Sequence, residues 1–145
     1  GEHNRHPSNL FVAGFIGSPA MNIIPTNIED DSVVFGSLRL PMDPAVSAAA
    51  KQSNGEDLKL GIRPQGLALG AEGVPTEVVV VEELGSETFV FAYIDHLGES
   101  IRIRVRVDAD HAVARGDKSI VAVTVPVHVF GPDGSRLRTS EEPGS

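Results

Sequence analysis

Apolar and polar residues alternate along the middle of the chain with the period of two that is typical of β-strands. The clearest case is residues 100–107, where isoleucine or valine occupies every second position and arginines lie between them at Arg102, Arg104 and Arg106. This segment predicts a strand with one apolar face and one arginine face. Residues 87–95 carry aromatic side chains on one face and smaller apolar ones on the other, which predicts a central strand joined to the first by a hairpin turn.

The other extended segments are shorter and are separated by turns. Four consecutive valines within residues 77–83 predict a strand buried on both faces, because β-branched side chains suit the pleat. Residues 41–56 are interpreted as a loop with at most one helical turn, and the glycines within residues 66–73 as a flexible connection. The remaining predicted strands are residues 32–40, 58–63, 119–124 and 125–130. Short strands joined by turns indicate an all-β fold, built as a small closed or half-closed barrel.

A short N-terminal helix is expected before the strands. Ser8 is a suitable N-cap, and Gly17 followed by Ser18 and Pro19 is a stop signal. A helix of little more than two turns is marginal alone, so we expect it to pack against another part of the protein. The apolar docking face consists of Leu10, Phe11, Phe15 and Ile16.

The composition narrows the classes of function. The chain has 145 residues, the length of one ordinary domain, and its formal charge is −8 at pH 7. An acidic balance disfavours a nucleic-acid binder, whose affinity depends on lysine and arginine meeting phosphates. There is no cysteine for a disulfide or a thiolate metal site, and no apolar run approaches the roughly 18 residues of a membrane span. We expect a soluble, cytoplasmic protein.

Candidate catalytic chemistry is sparse. The phosphate-binding motif G-x-x-x-x-G-K-[ST] and the nucleophile elbow G-x-S-x-G are both absent from the sequence. Glu82 and Glu83 point to opposite faces of a strand, so they cannot act on one substrate. Residues 108–111 (DADH) are more typical of a solvated turn than of a cation site with about six oxygen ligands. We therefore expect no catalytic residue, no metal site and no cofactor in this chain.

The arginine face allows two interpretations. Three arginines at period two form a ribbon about 13–14 Å long, suited to phosphate, a carboxylate ligand or an acidic partner surface. The alternative, which we favour, is a solvent face neutralised by glutamates of neighbouring strands such as Glu82 or Glu87.

Four segments carry a resemblance to one protein family. Residues 7–22 read PSNLFVAGFIGSPAMN, residues 61–67 read GIRPQGL, and residues 81–88 read VEELGSET. Residues 127–137 contain VHVF followed by a glycine and Arg-Leu. In this order the segments resemble four elements of the ATPase subunits of ABC sugar importers. These are the junction that follows the ATP-binding domain, the G-I-R-P-E-H-L element, the V-E-x-L-G-x-E-T element and the closing H-L-F…G-x-R-L pattern. The match is to the maltose, glycerol-phosphate and trehalose type, with Gln and Gly in place of the Glu and His of the second element.

The resemblance implies a C-terminal regulatory domain with an OB-like fold of the TOBE type. Residues 1–7 are then a leader or cloning remnant, residues 8–24 the junction helix and linker, and residues 25–138 the OB-like regulatory domain. Residues 139–145 are expected to be a flexible tail. The P-loop, signature and switch motifs of a nucleotide-binding domain are missing, so the sequence looks like an excised domain.

The resemblance also implies partners and a location. The full subunit is expected to hydrolyse ATP with Mg in its nucleotide-binding domain, as a homodimer beneath two membrane permease subunits. This portion is expected to contact its own nucleotide-binding domain, to contribute dimer contacts and, in some members, to receive a regulatory protein. The implied location is cytoplasmic, peripheral on the inner face of the cell membrane. Solute specificity resides chiefly in other subunits of such importers.

Candidate site residues follow partly from the resemblance. By resemblance, the positions nearest the family's regulatory surfaces are Ile23, Gly61, Thr76 and His96. Ile23 stands where the family often has an aromatic residue, and Thr76 stands where it has a glycine. From the residues alone, Gly61 is interpreted as a backbone position that excludes a Cβ. The candidate partner surface comprises these four positions together with Arg63, Arg102, Arg104 and Arg106.

Two other functions stay open at this point. The first is a barrel that binds a small anion or a sugar and feeds back on transport. The second is an OB-type nucleic-acid binder, which would need aromatic platforms beside basic residues. One tyrosine, no tryptophan and a net negative charge disfavour it.

Overall fold

The computed structural model describes residues 20–141, which group into two compact units along the chain. Within that range the first unit comprises residues up to 35, 39–62 and from 127 onward, and the second comprises residues 36–38 and 63–126. In chain order the elements are β1 (Asn22–Thr26), β2 (Ile28–Glu29), β3 (Ser32–Phe35), β4 (Leu38–Pro41), α1 (Pro44–Gln52), β5 (Leu58–Ile62), a 3₁₀ turn (Pro64–Gly66), β6 (Leu67–Leu84), β7 (Glu87–His96), β8 (Glu99–Val107), β9 (Lys118–Val123) and β10 (His128–Phe130).

The first unit contains two small sheets. One is antiparallel with β5 between β1 and β10, and Leu60 of β5 lies opposite both Ile24 and Val129. These three side chains are buried and form part of the core. The other sheet has the order β2-β3-β4. The Thr26 hydroxyl donates to Val34 O at 2.7 Å and accepts from Val34 N at 3.1 Å, so a buried polar group has both partners.

Helix α1 corrects a sequence prediction. Residues 41–56 were expected to form a loop with at most one helical turn, which is wrong, because nine residues are helical. The Asp43 carboxylate caps the helix by accepting from Ala45 N at 2.9 Å, and Pro44 supplies the fixed φ of the first helical position. The alanine run that follows has high helix propensity, and Val46 and Ala50 bury one face.

Two carboxylates beside α1 are held ionised by hydrogen bonds. The hydrogen bond from Lys51, at 2.6 Å, lowers the pKa of Asp31 below 3.8, and Ser47 adds a second hydrogen bond at 2.7 Å. Burial raises the pKa of Asp43, but hydrogen bonds from Ser140 and from the first amides of α1 outweigh it and leave this pKa lowered.

These shifts predict a loss of stability in acid. Because the folded-state pKa of Asp31 and Asp43 lies below the unfolded value, their stabilisation is fully present above the unfolded value and is lost as the pH falls from there through the lower folded-state pKa. Urea unfolding of Asp31→Asn should therefore show lower stability than the parent at pH 7, with the difference shrinking below about pH 4. Glu56→Gln is the control, since the Glu56 side chain makes no ion pair or hydrogen bond within residues 20–141. A difference for Asp31→Asn that does not change with pH would contradict this account.

The second unit is built on a four-stranded antiparallel sheet with the order β8-β7-β6-β9. The predictions of a central β7 and of a hairpin joining it to β8 are confirmed. On one face of this hairpin, Ala92 lies opposite Ile103 and Val90 opposite Val105, and all four side chains are buried. The alternation in β8 thus buries its apolar face, as the sequence predicts.

Strand β6 differs from its prediction in two ways. It runs through Gly70 and Gly73, where a flexible connection was expected. Gly73 has φ +140° at an irregularity in the pairing with β9, and a Cβ there would overlap the carbonyl oxygen of Val121, so glycine permits the strand to continue. The expectation of burial on both faces of residues 77–83 is also wrong, because a bulge between Val78 and Val80 leaves Val80 44% exposed.

The all-β class is confirmed, with α1 as an added helix. The expected N-terminal helix and its docking residues Leu10, Phe11, Phe15 and Ile16 lie outside the described residues. Asn22–Thr26, which begins within the expected linker, forms β1, and the domain boundaries at residues 25 and 138 stay a prediction. No helix within residues 20–141 is long and apolar enough to cross a membrane.

Candidate functional site

On the solvent face of the four-stranded sheet, strands β8, β7 and β6 carry three parallel rows of side chains. Directly opposed residues of neighbouring strands share a face. Along one such line Arg102 lies opposite Tyr93, which lies opposite Glu77. The other two lines again place an arginine opposite an aromatic residue, and they end on β6 at Val80 and at Glu82. The rows are the basic row on β8 (Arg102, Arg104, Arg106), the aromatic row on β7 (Tyr93, Phe91, Phe89) and the glutamate row on β6 (Glu77, Val80, Glu82).

Two of the three arginines are neutralised by glutamates. Arg104 Nη2 lies 2.7 Å from Glu82 Oε1, so this ion pair spans the aromatic row. Arg106 Nε lies 3.2 Å from Glu87 Oε2. These pairs match the favoured interpretation of the arginine face at Arg104 and Arg106. The pairs are partly exposed, so each contributes little stability but keeps its guanidinium in place.

The guanidinium groups also cover the aromatic row. Arg102 Cζ lies 4.5 Å from the ring centre of Phe91, and Arg104 Cζ lies 5.0 Å from that of Phe89 and 5.3 Å from that of Phe91. Phe89 lies on this solvent face but is only 1% exposed. The guanidinium groups and the aliphatic stems of the arginines cover it.

The line of Arg102, Tyr93 and Glu77 contains no ion pair, and it continues to Lys118 of β9, which lies directly opposite Glu77. Within the described part of the chain, Arg102 and Glu77 take part in no ion pair, and Tyr93 between them is 40% exposed. A groove of about 360 Å³ lies beside Tyr93. Its lining residues are Pro75, Thr76, Glu77, Tyr93, Ile94, Asp95, Ser100, Lys118 and Ser119.

Gly61 and Ile23 are neighbours in the first unit. Gly61 of β5 lies opposite Ile23 on one side and His128 on the other. A Cβ at Gly61 would overlap Met21 Sδ and lie 2.7 Å from Phe130 Cε2. The position therefore excludes a Cβ, as interpreted from the sequence, and its role in this unit is close packing against two buried side chains.

Thr76 and Arg63 each contribute to local structure in the second unit. The buried Thr76 hydroxyl donates to Tyr93 O at 2.7 Å, so it is directed into the sheet. Half-buried Arg63 precedes the 3₁₀ turn, and its carbonyl accepts from Gly66 N at 2.8 Å.

His96 is a buried anchor. Its side chain is 1% exposed, and Nδ1 accepts from Gly36 N at 3.0 Å. Gly36 has φ +58°, and a Cβ there would lie 2.6 Å from Val74 Cγ1, so this turn requires glycine. The imidazole fixes a turn of the main chain.

The structure brings some of the predicted residues together and separates others. Ile23 and Gly61 lie side by side in the first unit, whereas Thr76 and His96 belong to the second. The three arginines share one face. Sequence reasoning placed Glu82 beside the arginine face but missed Tyr93 and Glu77, although counting back through the hairpin would have placed Tyr93 opposite Arg102.

Residues 20–141 contain no group of three or more His, Cys, Asp or Glu side chains that could hold a metal ion. In the DADH segment His111 N donates to Asp108 O at 2.9 Å, which is a turn, as the sequence indicated.

Comparison with known proteins gives a consistent result. Residues 17–67 match the MalK OB fold domain. The sn-glycerol-3-phosphate import ATP-binding protein of Bordetella pertussis is 32% identical over 132 residues, which covers 90% of this chain and 36% of that protein. The diacetylchitobiose uptake system ATP-binding protein of Streptomyces coelicolor is 32% identical over 151 residues, covering 90% of this chain and 40% of that protein. An sn-glycerol-3-phosphate import ATP-binding protein of Paracoccus denitrificans is 35% identical over 136 residues, covering 90% and 35%.

The chain thus spans 35–40% of the length of these curated relatives. The matched range of the OB fold domain includes β1 to β5 and the residues leading into β6. The resemblance seen in the sequence is confirmed: residues 17–67 match the MalK OB fold domain, and the chain is similar, over nine-tenths of its length, to the ATP-binding subunits of ABC sugar importers.

Proposed function

We propose that this chain is the regulatory and dimerisation part of the ATPase subunit of an ABC importer for sugars or sugar-like solutes, and that it is not catalytic by itself. The observation that carries the proposal is the similarity to importer ATP-binding subunits over 90% of the chain, although the chain spans only 36% and 40% of the first two relatives. The sequence of 145 residues contains no P-loop motif. ATP and Mg would therefore bind in a nucleotide-binding domain of the same subunit.

The side chains support a role in contact and not in chemistry. Thr76 and His96 satisfy main-chain groups, Gly61 is a packing position, and two arginines are neutralised by glutamates. Such a module acts through its surfaces. Its proposed partners are its own nucleotide-binding domain, a second copy of the subunit, membrane permeases and a regulatory protein. The proposed location is the cytoplasmic face of the cell membrane.

A chimera tests the dimerisation role. The matched region of the Streptomyces coelicolor ATP-binding protein is replaced by this chain, and the control is that protein truncated before the region. We expect the chimera to hydrolyse ATP and to dimerise at lower concentration than the truncated control. A chimera that hydrolyses ATP but dimerises no better than the control would contradict the dimerisation role.

The alternative function is a barrel that senses a small anion or a sugar. The groove beside Tyr93 supports it, because Lys118, Ser119 and an exposed aromatic ring line one cavity of about 360 Å³. Titration calorimetry of the chain with phosphate, glycerol 3-phosphate and maltose distinguishes the two functions. Saturable heat that Lys118→Ala abolishes would favour the sensor, and flat titrations would favour the regulatory module.

A further inference from the structure

We propose that the groove beside Tyr93 binds a neutral sugar, with the tyrosine ring stacked against the sugar ring and the carboxylates of Glu77 and Asp95 accepting from its hydroxyl groups. This inference rests on the small-ligand alternative to the proposed function and deepens it, because it chooses a neutral sugar over an anion. The juxtaposition that carries it is one exposed aromatic ring beside both hydrogen-bond acceptors and donors in a groove of about 360 Å³.

The pairing of the strands brings the polar groups of the groove together. Glu77 of β6 lies opposite Tyr93 of β7 on one side and opposite Lys118 of β9 on the other. Asp95 follows Tyr93 by two positions, on the same face of β7, and lies opposite Ser100 of β8. The groove is therefore formed by all four strands of one sheet, within a single compact unit.

The volume of the groove and the spacing of its groups set the size of the ligand. A volume of about 360 Å³ lies near the lower end of the roughly 300–1,000 Å³ of small-molecule sites. Tyr93 and Asp95 are about 6.7 Å apart along β7, and Glu77 lies about 4.8 Å to the side on β6. Pro75, two positions before Glu77, has a short side chain that leaves room between these groups. This spacing is comparable to the width of one sugar ring, so one or two sugar units fit.

The Tyr93 ring supplies the apolar surface of the groove. Its side chain is 40% exposed. Arg102, the residue opposite Tyr93, has its guanidinium carbon 4.5 Å from the ring centre of Phe91, so Arg102 covers Phe91. One face of a sugar ring consists largely of C–H groups and its edge of hydroxyl groups. A sugar therefore combines an apolar surface with a polar rim, as the groove does.

The groove offers partners for both functions of a sugar hydroxyl, which donates one hydrogen bond and accepts others. The carboxylates of Glu77 and Asp95 accept, the Lys118 ammonium donates, and the Ser100 hydroxyl does either. All four residues are exposed, so a ligand reaches them from solvent. Hydrogen bonds to ionised groups are stronger than those between neutral groups. A purely apolar ligand would leave these groups without partners, which disfavours that class.

The charge of the lining selects a neutral ligand over an anion. Among the described residues that line the groove, Glu77 and Asp95 carry negative charge and Lys118 carries positive charge. Two carboxylates against one ammonium leave an excess of one negative charge, and the chain as a whole has a formal charge of −8. Both oppose the approach of a phosphate or a carboxylate. Lys118, which would attract an anion, lies directly opposite Glu77.

Tyrosine fluorescence of the full chain measures binding directly. The chain has one tyrosine and no tryptophan, so its emission comes from Tyr93 in the groove. The probes are glucose and maltose, with glucose 6-phosphate as the matched anion. We expect glucose and maltose to saturate the signal with dissociation constants on the order of 1 mM, as befits a groove open to solvent. Glucose 6-phosphate should bind at least about fivefold more weakly than glucose.

Reversing one charge in the groove tests the selection. Glu77→Lys changes the excess of one negative charge into an excess of one positive charge, so this variant should bind glucose 6-phosphate more tightly than glucose. Glu83→Lys is the matched control: it lies on the same strand, outside the lining, and changes the total charge equally. It should keep the preference for glucose. Asp95→Asn, a milder change, should reduce that preference to less than about twofold. Circular dichroism verifies that each variant is folded.

Three results would overturn the proposal. One is no saturable change with glucose or maltose up to about 50 mM, roughly fiftyfold above the expected dissociation constant. Another is a parent chain that binds glucose 6-phosphate as tightly as glucose, which would make the groove an anion site. The third is a preference for glucose that Glu77→Lys does not change, which would place the binding elsewhere. None of these results affects the dimerisation role, because dimerisation of the chimera is measured without sugar.

Discussion

Gly61→Ala is expected to lower the free energy of unfolding by about 1–3 kcal/mol, the usual cost of overpacking a core. The new Cβ would overlap Met21 Sδ and lie 2.7 Å from Phe130 Cε2, and Ile23 Cδ1 is 3.5 Å away. The Phe130 ring is fully buried, so it cannot turn aside into solvent. Urea unfolding followed by circular dichroism measures the change.

Gly70→Ala is the matched control for Gly61→Ala. Gly70 also lies in a strand, and a Cβ there would meet nothing within 4 Å. Both substitutions reduce the conformational freedom of the unfolded chain equally, so their difference isolates the steric effect. We expect Gly70→Ala to change stability by less than about 0.5 kcal/mol. Equal changes at the two positions would contradict the packing role of Gly61.

His96→Phe is expected to cost about 1–3 kcal/mol, because the replacement fills a similar volume but leaves the partly buried Gly36 N–H without its acceptor. Amide hydrogen exchange gives a local readout: the Gly36 amide should exchange faster in the variant, beyond the change expected from global stability. His111→Phe, at an exposed position, controls for the change of residue type. Unchanged exchange at Gly36 would show that the imidazole does not hold this turn.

The strands of the second unit could be predicted because their signals are local. In residues 100–107 each apolar position is two residues from the next, and no distant contact is needed to assign its face. Helix α1 was missed although its local signals were present, namely Asp43 before Pro44 and the alanines that follow. What completes this cap is Ser140, 97 residues away, whose amide and hydroxyl both donate to Asp43.

The continuity of β6 and the composition of the candidate surface depend on contacts that sequence alone does not show. In the sequence, Gly73 is compatible with a flexible connection. The structure shows that Val121 O occupies the space that a Cβ at this position would need, so glycine is required there for close strand packing. The arginine face was predicted, but its pairing with Glu82 depends on β6 lying on the far side of β7. Thr76 and His96 were assigned by resemblance to a surface, and both are buried because their partners, Tyr93 O and Gly36 N, lie inside the unit.

The central claim is that this chain serves an importer ATPase subunit without carrying its catalytic machinery. The most direct measurement is binding and hydrolysis of Mg-ATP by the purified chain, with the intact Streptomyces coelicolor ATP-binding protein assayed in parallel as the positive control. We predict no saturable heat and no phosphate release from the chain under conditions in which the control turns over ATP. Phosphate release by the chain that scales with its concentration, and persists after further purification, would contradict the account.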